Sequence, residues 1–569
     1  METNRKIVIY GSGRYPRDFL YVFDSIQVAC YVDDEEHGCV KSFEVLQKDK
    51  NKVFVIICKY EEKKAQENLR KIGFKRGIDF VSAAALFHTL DFPIRNIAAK
   101  KDVYVYGTGD VSHNFFHDFV EKNPDIEIIG CVDSNPEKKG KTFFRRKIYM
   151  PEEVLHSPDS FFIIASTLYY QEIKENLLKY GKKENEDFIS CFAVNQWASW
   201  MIRETIYDVP RLDYVCPKPF QDAALMHEGR LSVCAGVRDV ENRNTPLFYS
   251  EFDHVWHSNI MKILRLSVIN GTYSFCDEQK CELKYNCGKR TIDTNELHYS
   301  MHKSKSQLEY IAKKDTFSKD TVFHDTNYNI REREYPEVVM CSFDRTCNLY
   351  CPSCRSQRYV ADRKQEELLQ NFTDRIKAEL LPHVERIKVA GDGEAFASKV
   401  YRRILFNQEF SRHIRQIGIL SNGTLLTPSN FDKLAENYDS IKIFISMDGC
   451  TKETAEKLRA GADFEKWKKN MEYLGHKREE GKIDFLAFNF VVQRENYLEM
   501  EEYVKMCFGF RADGIKFSQL KRIGEQSVEE FEQKNMFDPD GNMKPELEKV
   551  VQNELFRRPE VHLFTWINW

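Results

Sequence analysis

Six short apolar segments, separated by polar stretches long enough for helices, run through the second half of the sequence. They lie at 337–344, 386–394, 416–423, 440–449, 482–492 and 514–520. Strands separated by helices of this length are joined by crossovers and pair in parallel. The pattern therefore predicts an α/β fold with a parallel sheet, in which chemically active residues lie at the carboxyl ends of the strands.

Three closely spaced cysteines follow the first of these segments. Cys347, Cys351 and Cys354 form a Cys-x3-Cys-x2-Cys pattern within CSFDRTCNLYCPSCRSQ. Three thiolates on one loop can ligate three irons of a [4Fe–4S] cluster, which leaves the fourth iron without a protein ligand. The alternative is a structural zinc site with Cys341 as the fourth ligand. That alternative is weaker because Cys341 lies inside the apolar run EVVMCSF.

Residues 335–525 resemble the radical S-adenosylmethionine (radical SAM) superfamily. The resemblance rests on C-N-L-Y-C-P-S-C and on polar motifs at the ends of later strands, which are Gly391-Asp392-Gly393-Glu394, Ser421-Asn422-Gly423 and Ser446-Met447-Asp448-Gly449. It implies a partial (β/α)6 barrel that binds a [4Fe–4S] cluster and S-adenosylmethionine (SAM). In this family the reduced cluster donates an electron to SAM, and the resulting 5′-deoxyadenosyl radical abstracts a hydrogen atom from the substrate.

The resemblance also implies which residues contact the cofactors. The glycine-rich motif would hold the methionine amino group, and Ser446 and Asp448 would contact the ribose or carboxylate of SAM. Cys450 is the candidate catalytic residue, because a thiol at a strand end could return a hydrogen atom to a substrate radical. The candidate cofactor-binding residues are Gly391, Asp392, Gly393, Glu394, Ser421, Asn422, Ser446, Asp448, Asn489 and Gln519.

A second group of cysteines lies upstream, within residues 204–300. It resembles the SPASM module, which binds auxiliary iron–sulfur clusters in many radical SAM enzymes and usually follows the barrel. The second half of the module is thinner than the full pattern, so the resemblance implies one auxiliary [4Fe–4S] cluster. A zinc-stapled small domain is the alternative. The candidate ligands are Cys216, Cys234, Cys276 and Cys281, with Cys287 as the substitute.

The first third of the chain is a tandem repeat, with units at 1–98 and 99–203. The segments ENLRKIGFKRGIDFVS (67–82) and ENLLKYGKKENEDFIS (175–190) align over sixteen positions without a gap. Each unit begins with a strand and a Gly-x-Gly turn, which can bring backbone N–H groups to a phosphate. Asp33, Asp34 and Asp133 are placed to meet a ribose hydroxyl. The units resemble the small Rossmann-like domains attached to bacterial sugar-modifying proteins, but the third glycine of the dinucleotide fingerprint is missing.

Composition narrows the binding partners and the cellular compartment that the sequence predicts. The 84 Lys and Arg against 88 Asp and Glu give a net charge of −4, which argues against nucleic acid as the partner. No apolar run is long enough to span a membrane, and clustered cysteines suit a reducing cytoplasm. Residues 301–334 are predicted to be a connector, and 526–569 a helical tail.

These observations predict an enzyme that abstracts hydrogen from a carbohydrate- or nucleotide-linked substrate, followed by oxidation, rearrangement or epimerisation. The first alternative is a maturase that modifies a ribosomally made peptide. The second is a zinc-stabilised scaffold without catalytic activity. An electron donor such as flavodoxin or ferredoxin is the expected protein partner, beside a small-molecule, glycan or peptide substrate.

Overall fold

The structure is a computed structural model, and its described residues form two compact units. One unit contains the described residues of 1–220, 234–281 and 291–334, and the other those of 221–233 and 335–569. The described residues are 5–11, 14–35, 40–59, 62–88, 97–99, 101–121, 123, 126–193, 205, 216, 218–227, 229–234, 246–270, 272–276, 334–355, 357–407, 413–521, 527–538 and 541–564. Among them, no helix has both the length and the apolar character that a membrane crossing requires.

The first repeat forms a five-stranded parallel sheet. Its strand order is β3-β2-β1-β4-β5, and β4 is buried along its whole length. The strands are β1 (Lys6–Tyr10), β2 (Val28–Asp33), β3 (Lys41–Ser42), β4 (Val53–Ile57) and β5 (Phe80–Ser82). The helices are α1 (Arg14–Val22), α2 (Glu62–Lys71) and α3 (Ala83–His88).

The second repeat forms a six-stranded sheet with the order β11-β10-β6-β7-β9-β8. All its pairings are parallel except the short hairpin of β8 and β9. The strands are β6 (Asp102–Tyr106), β7 (Ile128–Val132), β8 (Thr142–Phe143), β9 (Arg146–Tyr149), β10 (Ser160–Ile164) and β11 (Phe188–Ser190). The helices are α4 (Asp110–Phe115), which continues as a π-helical turn, α5 (Pro151–Val154) and α6 (Tyr170–Lys179).

The two sheets place corresponding strands in the same order. The central strand is the first of each repeat, β1 or β6, with β2 or β7 on one side and β4 or β10 on the other. Runs such as VFVII and SFFII are buried throughout, as expected for parallel strands covered on both faces. The gapless sequence repeat is therefore matched by a repeated strand order, while a Rossmann-like function of the units stays a prediction.

A helical segment packs into the same unit as both sheets. It contains α8 (Phe252–Trp256) and α9 (Asn259–Ile269). The Nη2 atom of Arg17, on α1, donates to Asn270 Oδ1 (2.7 Å), and Asn270 Nδ2 donates to Asp18 Oδ2 (2.7 Å). These three side chains are buried, so the ion pair of Arg17 and Asp18 is completed by a residue more than two hundred positions away.

The second unit contains a nine-stranded sheet with the order β13-β12-β14-β15-β16-β17-β18-β19-β20. Only β13 pairs antiparallel; the other neighbours are parallel. The strands are β12 (Asp222–Met226), β13 (Leu231–Ser232), β14 (Val338–Ser342), β15 (Arg386–Val389), β16 (Gln416–Ser421), β17 (Ile441–Ser446), β18 (Phe485–Val492), β19 (Gly514–Gln519) and β20 (Val561–Leu563).

Helices connect the parallel strands of this sheet. Several begin with a side-chain cap, as Asp362 and Thr427 show by accepting from the N–H three residues on. The helices are α10 (Arg363–Glu379), α11 (Lys399–Leu405), α12 (Pro428–Ala435), α13 (Lys452–Leu458), α14 (Phe464–Glu479), α15 (Met500–Gly509), α16 (Val528–Lys534) and α17 (Pro545–Val551), while α7 (Lys218–Gln221) precedes β12.

The alternation of six strands with helices is confirmed, and three more strands extend the sheet. Residues 222–226 and 231–232 lie within the span 204–300 that the sequence assigns to the cysteine-rich module, yet they pair beside β14. The tail contains α16 and α17, and it also adds β20. Short edge strands of this kind form because an existing sheet edge offers unpaired backbone groups.

Candidate functional site

A cavity opens at the carboxyl ends of the central strands, where a parallel sheet places its chemistry. Its volume is about 170 Å³. Both main sequence motifs meet there, the cysteine loop after β14 and the glycine-rich turn after β15. The cavity is lined by Cys347, Leu349, Cys351, Cys354, Arg355, Gly391, Asp392, Gly393, Glu394, Leu420, Ser421, Asn422, Ser446 and Arg459.

The cysteine loop presents three thiols to the cavity. Cys351 is buried, and Cys347 and Cys354 are partly buried. The Cys354 N–H donates to Cys351 O (2.8 Å), and the Leu349 N–H donates to Cys347 Sγ (3.5 Å). Burial raises the pKa of Cys347 to about 11 and also raises that of Cys351. A thiolate at either position therefore needs a positive partner, which a metal centre supplies.

The glycine-rich turn is packed tightly against the sheet. A Cβ atom on Gly393, which has φ +127°, would lie 2.3 Å from Asp344 O, and one on Gly391 would lie 2.4 Å from the Met340 methyl carbon. Ala390 just before the turn has φ +66°, which is strained for a residue with a Cβ. At Gly393 only glycine fits, because the neighbouring atom is backbone, whereas at Gly391 the flexible Met340 side chain could shift. The motif thus brings bare backbone to the cavity wall.

Glu394 ends the turn as a fully buried carboxyl group. Ser421 Oγ donates to its Oε1 (2.7 Å), and the N–H of Asn422 donates to its Oε2 (2.7 Å). Burial raises the pKa of Glu394, and these hydrogen bonds act in the opposite direction. Glu394 thus fastens the end of β16 to the glycine-rich turn.

Asn422 also connects the end of β16 to the cysteine loop. Its Nδ2 donates to Asn348 Oδ1 (3.0 Å) and lies 3.9 Å from Cys347 Sγ. Because Asn422 is reached by both neighbouring loops, the two motifs are held in fixed relation. The cavity wall is therefore a connected hydrogen-bonded network.

Asp392 lies next to a histidine and two arginines. Its Oδ2 lies 2.5 Å from His227 Nδ1, and its Oδ1 lies 3.9 Å from Arg355 Nη2. Burial pushes the pKa of Asp392 upward, but His227 and the guanidinium groups of Arg345 and Arg355 outweigh it and hold the pKa below its usual value. Asp392 is therefore an anion at neutral pH.

Arg459 places a buried positive charge on the cavity wall. Its Nε lies 2.7 Å from Asp448 Oδ2, and Asp448 is fully buried. Asp448 Oδ1 also accepts from the N–H of Val491 (2.8 Å). Burial works against the charge on Arg459, but the nearby Asp448 carboxylate outweighs it and raises the pKa. The wall therefore offers a fixed cation next to the thiols.

Comparison with known families agrees with this geometry. A family model described as the Radical SAM superfamily matches residues 342–507, a span that begins at the last residue of β14 and contains the cysteine loop and β15 to β18. Residues 342–507 form a radical SAM domain. The match supports a [4Fe–4S] cluster and SAM as cofactors. It covers less than half of the chain, and the residues before it contribute His227 to the cavity region.

Solved structures with low similarity were also found. SuiB of Streptococcus suis bound to S-adenosylmethionine is 17% identical, with a TM-score of 0.29, and the match covers 51% of this chain and 66% of that chain. TYW1 with a lysine-pyruvate adduct is 13% identical, with a TM-score of 0.26, covering 39% and 74%. The sulfatase-maturase structure anSMEcpe, with bound AdoMet and the Kp18Cys peptide, is 20% identical, with a TM-score of 0.28, covering 39% and 59%. This chain thus spans slightly less than two thirds of SuiB, and these likenesses carry no argument about its activity.

Part of the N-terminal repeat region also matches a family. A model described as C2185-like, N-terminal matches residues 99–187, which is most of the second repeat. No curated protein matches the sequence of the chain.

The structure brings most of the candidate cofactor-binding residues to one cavity. The three cysteines, the four residues of the glycine-rich motif, Ser421, Asn422 and Ser446 all line it. Asp448 lies behind the wall and holds Arg459. Asn489 Oδ1 accepts from Ser518 Oγ (2.6 Å), and Gln519 is partly buried at the end of β19. Neither of these two residues is among the lining residues.

Cys450 does not line the cavity either. Its Sγ lies 3.3 Å from Glu499 Oε2, and its N–H donates to the same carboxylate oxygen (2.7 Å). Burial and then the contact with Glu499 raise the pKa of Cys450 to about 12. The side chain is therefore a protonated thiol at neutral pH, and its role in hydrogen transfer stays a prediction.

The predicted auxiliary ligands are only partly described. Tyr273 lies between two of them: its hydroxyl accepts from the Cys216 N–H (3.0 Å), and its carbonyl accepts from the Cys276 N–H (2.9 Å). Cys234 is partly buried. Cys281 and Cys287 lie outside the described residues, as does the predicted connector except for its last residue, and the auxiliary cluster stays a prediction.

Acids of the N-terminal repeats are already paired with lysines. Lys59 Nζ lies 2.5 Å from Asp33 Oδ1 and 2.9 Å from Asp34 Oδ2. In the second repeat, Lys138 Nζ lies 2.9 Å from Asp133 Oδ2, which also accepts from Thr108. A ribose hydroxyl would have to displace an internal ion pair at each of these positions.

Backbone packing explains the first glycine in the turn of each repeat. A Cβ on Gly11 would lie 2.2 Å from Cys58 O, and one on Gly107 would lie 2.8 Å from Ala165 O. The first glycine of each turn is thus needed where neighbouring strands end close together. Gly13, the second glycine of the first repeat, lies outside the described residues.

Sequence reasoning missed two residues of the site region. Arg459 follows α13 without any local motif, and its pairing with Asp448 depends on packing between distant elements. His227 lies between β12 and β13, in a stretch that the cysteine pattern had drawn into another module. Neither position carries a signal in its immediate sequence.

Proposed function

We propose that the chain is a radical SAM enzyme that cleaves SAM reductively and uses the product radical to abstract a hydrogen atom from a substrate. The observation that carries this proposal is the meeting of three thiols, a glycine-walled turn and a buried guanidinium around one cavity. Soft thiolate ligands suit iron–sulfur clusters. Cluster and SAM together supply one-electron cleavage of the sulfonium to methionine and a 5′-deoxyadenosyl radical.

The donor set fits a cluster with one open iron. Cys347, Cys351 and Cys354 line the cavity, whereas Cys341, which a four-cysteine zinc site would recruit, is buried within β14 and does not line it. Among the described residues, no three His, Cys, Asp or Glu side chains form a group that would hold a single metal ion. A [4Fe–4S] cluster needs a wider arrangement, because each thiolate binds a different iron.

The other wall residues suit the two ends of the methionine part of SAM. Arg459 is a buried cation, and a carboxylate is the group that such a guanidinium binds with paired, charge-assisted hydrogen bonds. The tight backbone at Gly391 and Gly393 leaves room for an amino group to approach peptide oxygens. Glu394, Ser421 and Asn422 hold these walls together, so their role is to position the turn.

Two substrate classes are considered for this chemistry. The sequence favours a carbohydrate- or nucleotide-linked substrate because the N-terminal repeats resemble Rossmann-like domains attached to bacterial sugar-modifying proteins, where the acids after the glycine turns would meet a ribose hydroxyl. In the structure Asp33 and Asp133 are bound by Lys59 and Lys138, which weakens that reason. The peptide alternative is therefore the second candidate. Calorimetric titration of the full chain with uridine and guanosine diphosphate sugars tests the choice between the two classes. A saturable heat of binding would favour the carbohydrate- or nucleotide-linked substrate.

Anaerobic reconstitution tests the enzyme proposal. We expect uptake of about four iron and four sulfide per radical SAM site, more if an auxiliary cluster forms, and production of 5′-deoxyadenosine with SAM and dithionite. Cys351→Ala should abolish that product, because it removes a thiol from the cavity. Cys341→Ala is the matched control and should keep both uptake and product.

Two results would contradict the proposal. Uptake of zinc without iron and sulfide would support the non-catalytic scaffold. Equal loss of metal in Cys341→Ala and Cys351→Ala would indicate a four-cysteine site instead of an open cluster.

A further inference from the structure

The Arg355 guanidinium is fixed against one of the cluster-ligand candidates. Its Nε and Nη2 donate to Cys354 Sγ at 3.4 and 3.5 Å. Its Nη1 donates to Arg345 O (2.8 Å), and the side chain is only 10% exposed. Three of the guanidinium nitrogens are thus engaged, so a positive charge is held beside one sulfur atom of the cavity.

Asp392 connects this arginine to a residue from outside the cysteine loop. One carboxylate oxygen lies 3.9 Å from Arg355 Nη2, and the other lies 2.5 Å from His227 Nδ1. His227 belongs to the turn between β12 and β13, which the pairing of β12 with β14 fixes beside the cysteine loop. The three residues therefore form a continuous line of contacts that ends on Cys354.

We infer that this line of His227, Asp392 and Arg355, here called the contact chain, sets the reduction potential of the cluster through Cys354. The inference rests on the proposed function, because it assumes that Cys354 is a cluster ligand. Reduction adds a negative charge to the cluster, so hydrogen bonds and positive charge at a ligand sulfur stabilise the reduced form and raise the potential.

His227 has a separate part in the contact chain. Asp392 is an anion close to Arg355 and competes with Cys354 for the guanidinium. With its Nδ1 2.5 Å from Asp392 Oδ2, His227 holds the carboxylate from the side away from Arg355 Nη2, which leaves Arg355 on the sulfur. The hairpin of β12 and β13 is in this view a positioning element for the cluster, although it lies outside the cysteine loop.

A redox titration of the reconstituted full chain without SAM tests the inference, with the electron paramagnetic resonance signal of the reduced cluster as readout. For Arg355→Gln we expect the ratio of reduced to oxidised cluster at a fixed solution potential to fall about tenfold, which is a shift of 59 mV for one electron. Arg403→Gln is the matched control and should titrate like the wild type, because the exposed Arg403 side chain of α11 pairs with Asp374.

A double-mutant cycle tests the role of His227. His227→Ala should shift the potential in the same direction by a smaller amount, and it should have no further effect in the Arg355→Gln background. Additive shifts would overturn the chain of contacts, because they would mean that His227 acts without Arg355.

The outcomes separate this inference from the proposed function. If the wild type takes up no iron and sulfide, the function fails. If it loads a cluster and Arg355→Gln titrates unchanged, only the contact chain fails. Should Arg355→Gln fail to load, Arg355→Lys, which keeps the charge, is titrated in its place with a smaller shift expected. If neither loads, Arg355 serves assembly and the inference is rejected.

Discussion

The N-terminal sheets and the nine-stranded sheet differ in what lies at the carboxyl ends of their strands. In both, parallel strands end in glycine turns and acidic residues. In the radical SAM domain, these ends surround a cavity with three thiols and a buried arginine. In the repeats, Lys59 and Lys138 pair with the acids directly. A strand-end acid therefore does not by itself indicate a ligand site, because the chain can supply a cation that occupies it.

The contrast extends to the acids of the radical SAM domain. Asp448 is also paired internally, with Arg459, but its partner lines the cavity, whereas Lys59 and Lys138 neutralise acids near turns that hold strand ends together. The difference is therefore whether the cation that pairs with the acid also lines a cavity. Three substitutions, in order of decreasing effect, test this comparison.

Gly393→Ala should have the largest effect, a loss of 5′-deoxyadenosine formation of more than about 100-fold. The new Cβ would lie 2.3 Å from Asp344 O at a φ of +127°, so the glycine-rich turn must move away from the segment that follows β14. A displacement of about 1 Å costs about 100-fold. Product formation after reconstitution measures it. Gly481→Ala is the matched control, because Gly481 also has positive φ (+73°) but nothing within 4 Å of its Cβ. Equal loss in both variants would make backbone strain the cause.

Arg459→Met should weaken SAM binding by about 10- to 100-fold, as expected for losing hydrogen bonds to a charged group. Calorimetry on the reconstituted protein measures the Kd. The variant also leaves Asp448 buried without its cation and should lower the melting temperature. The double variant Asp448→Asn with Arg459→Met removes that charge, so it should regain thermal stability without regaining affinity. Arg478→Met is the control: it removes the cation that pairs with Asp513, outside the cavity, and should leave SAM affinity unchanged. Wild-type affinity in Arg459→Met would remove Arg459 from the site.

Lys138→Met should have the smallest effect, less than about 1 kcal/mol of unfolding free energy, because the pair is partly exposed. Burial raises the pKa of Asp133, but Lys138 and Thr108 outweigh it, so the folded pKa lies below the usual 3.8. The stabilisation is therefore present above pH 3.8 and is lost as the pH falls through the folded pKa. Urea titrations at pH 7 and pH 3 measure the difference, which should shrink at the lower pH. SAM cleavage should be unchanged, and its loss would link the repeats to the catalytic site.

Local patterns were enough to predict the main elements of the radical SAM domain. The alternation of apolar and polar segments predicted six strands and their helices, and the cysteine spacing with Gly391 to Glu394 predicted residues that line one cavity. These features succeed because each depends on residues within one strand and the turn that follows it.

Long-range pairing could not be predicted in the same way. The contact of His227 with Asp392 joins residues from separate stretches of chain, and the pairing of β12 with β14 joins strands more than a hundred residues apart. At three residues, β20 is too short to show a period. Asp33 and Asp133 have the spacing expected of ribose-binding acids, but they form ion pairs with Lys59 and Lys138. A single sequence contains no signal for such pairings, because they are decided by tertiary packing.

The position of β12 also decides where this protein can be cut. Asp222 to Met226 pair with Val338 to Ser342, so a fragment that starts at the family boundary near residue 342 loses both its own first strand and the neighbour of that strand. The remaining sheet would begin with β15, whose unpaired backbone would invite association between molecules. An expression fragment of the catalytic part must therefore begin before residue 221, even though a comparison of families would place the boundary more than a hundred residues later.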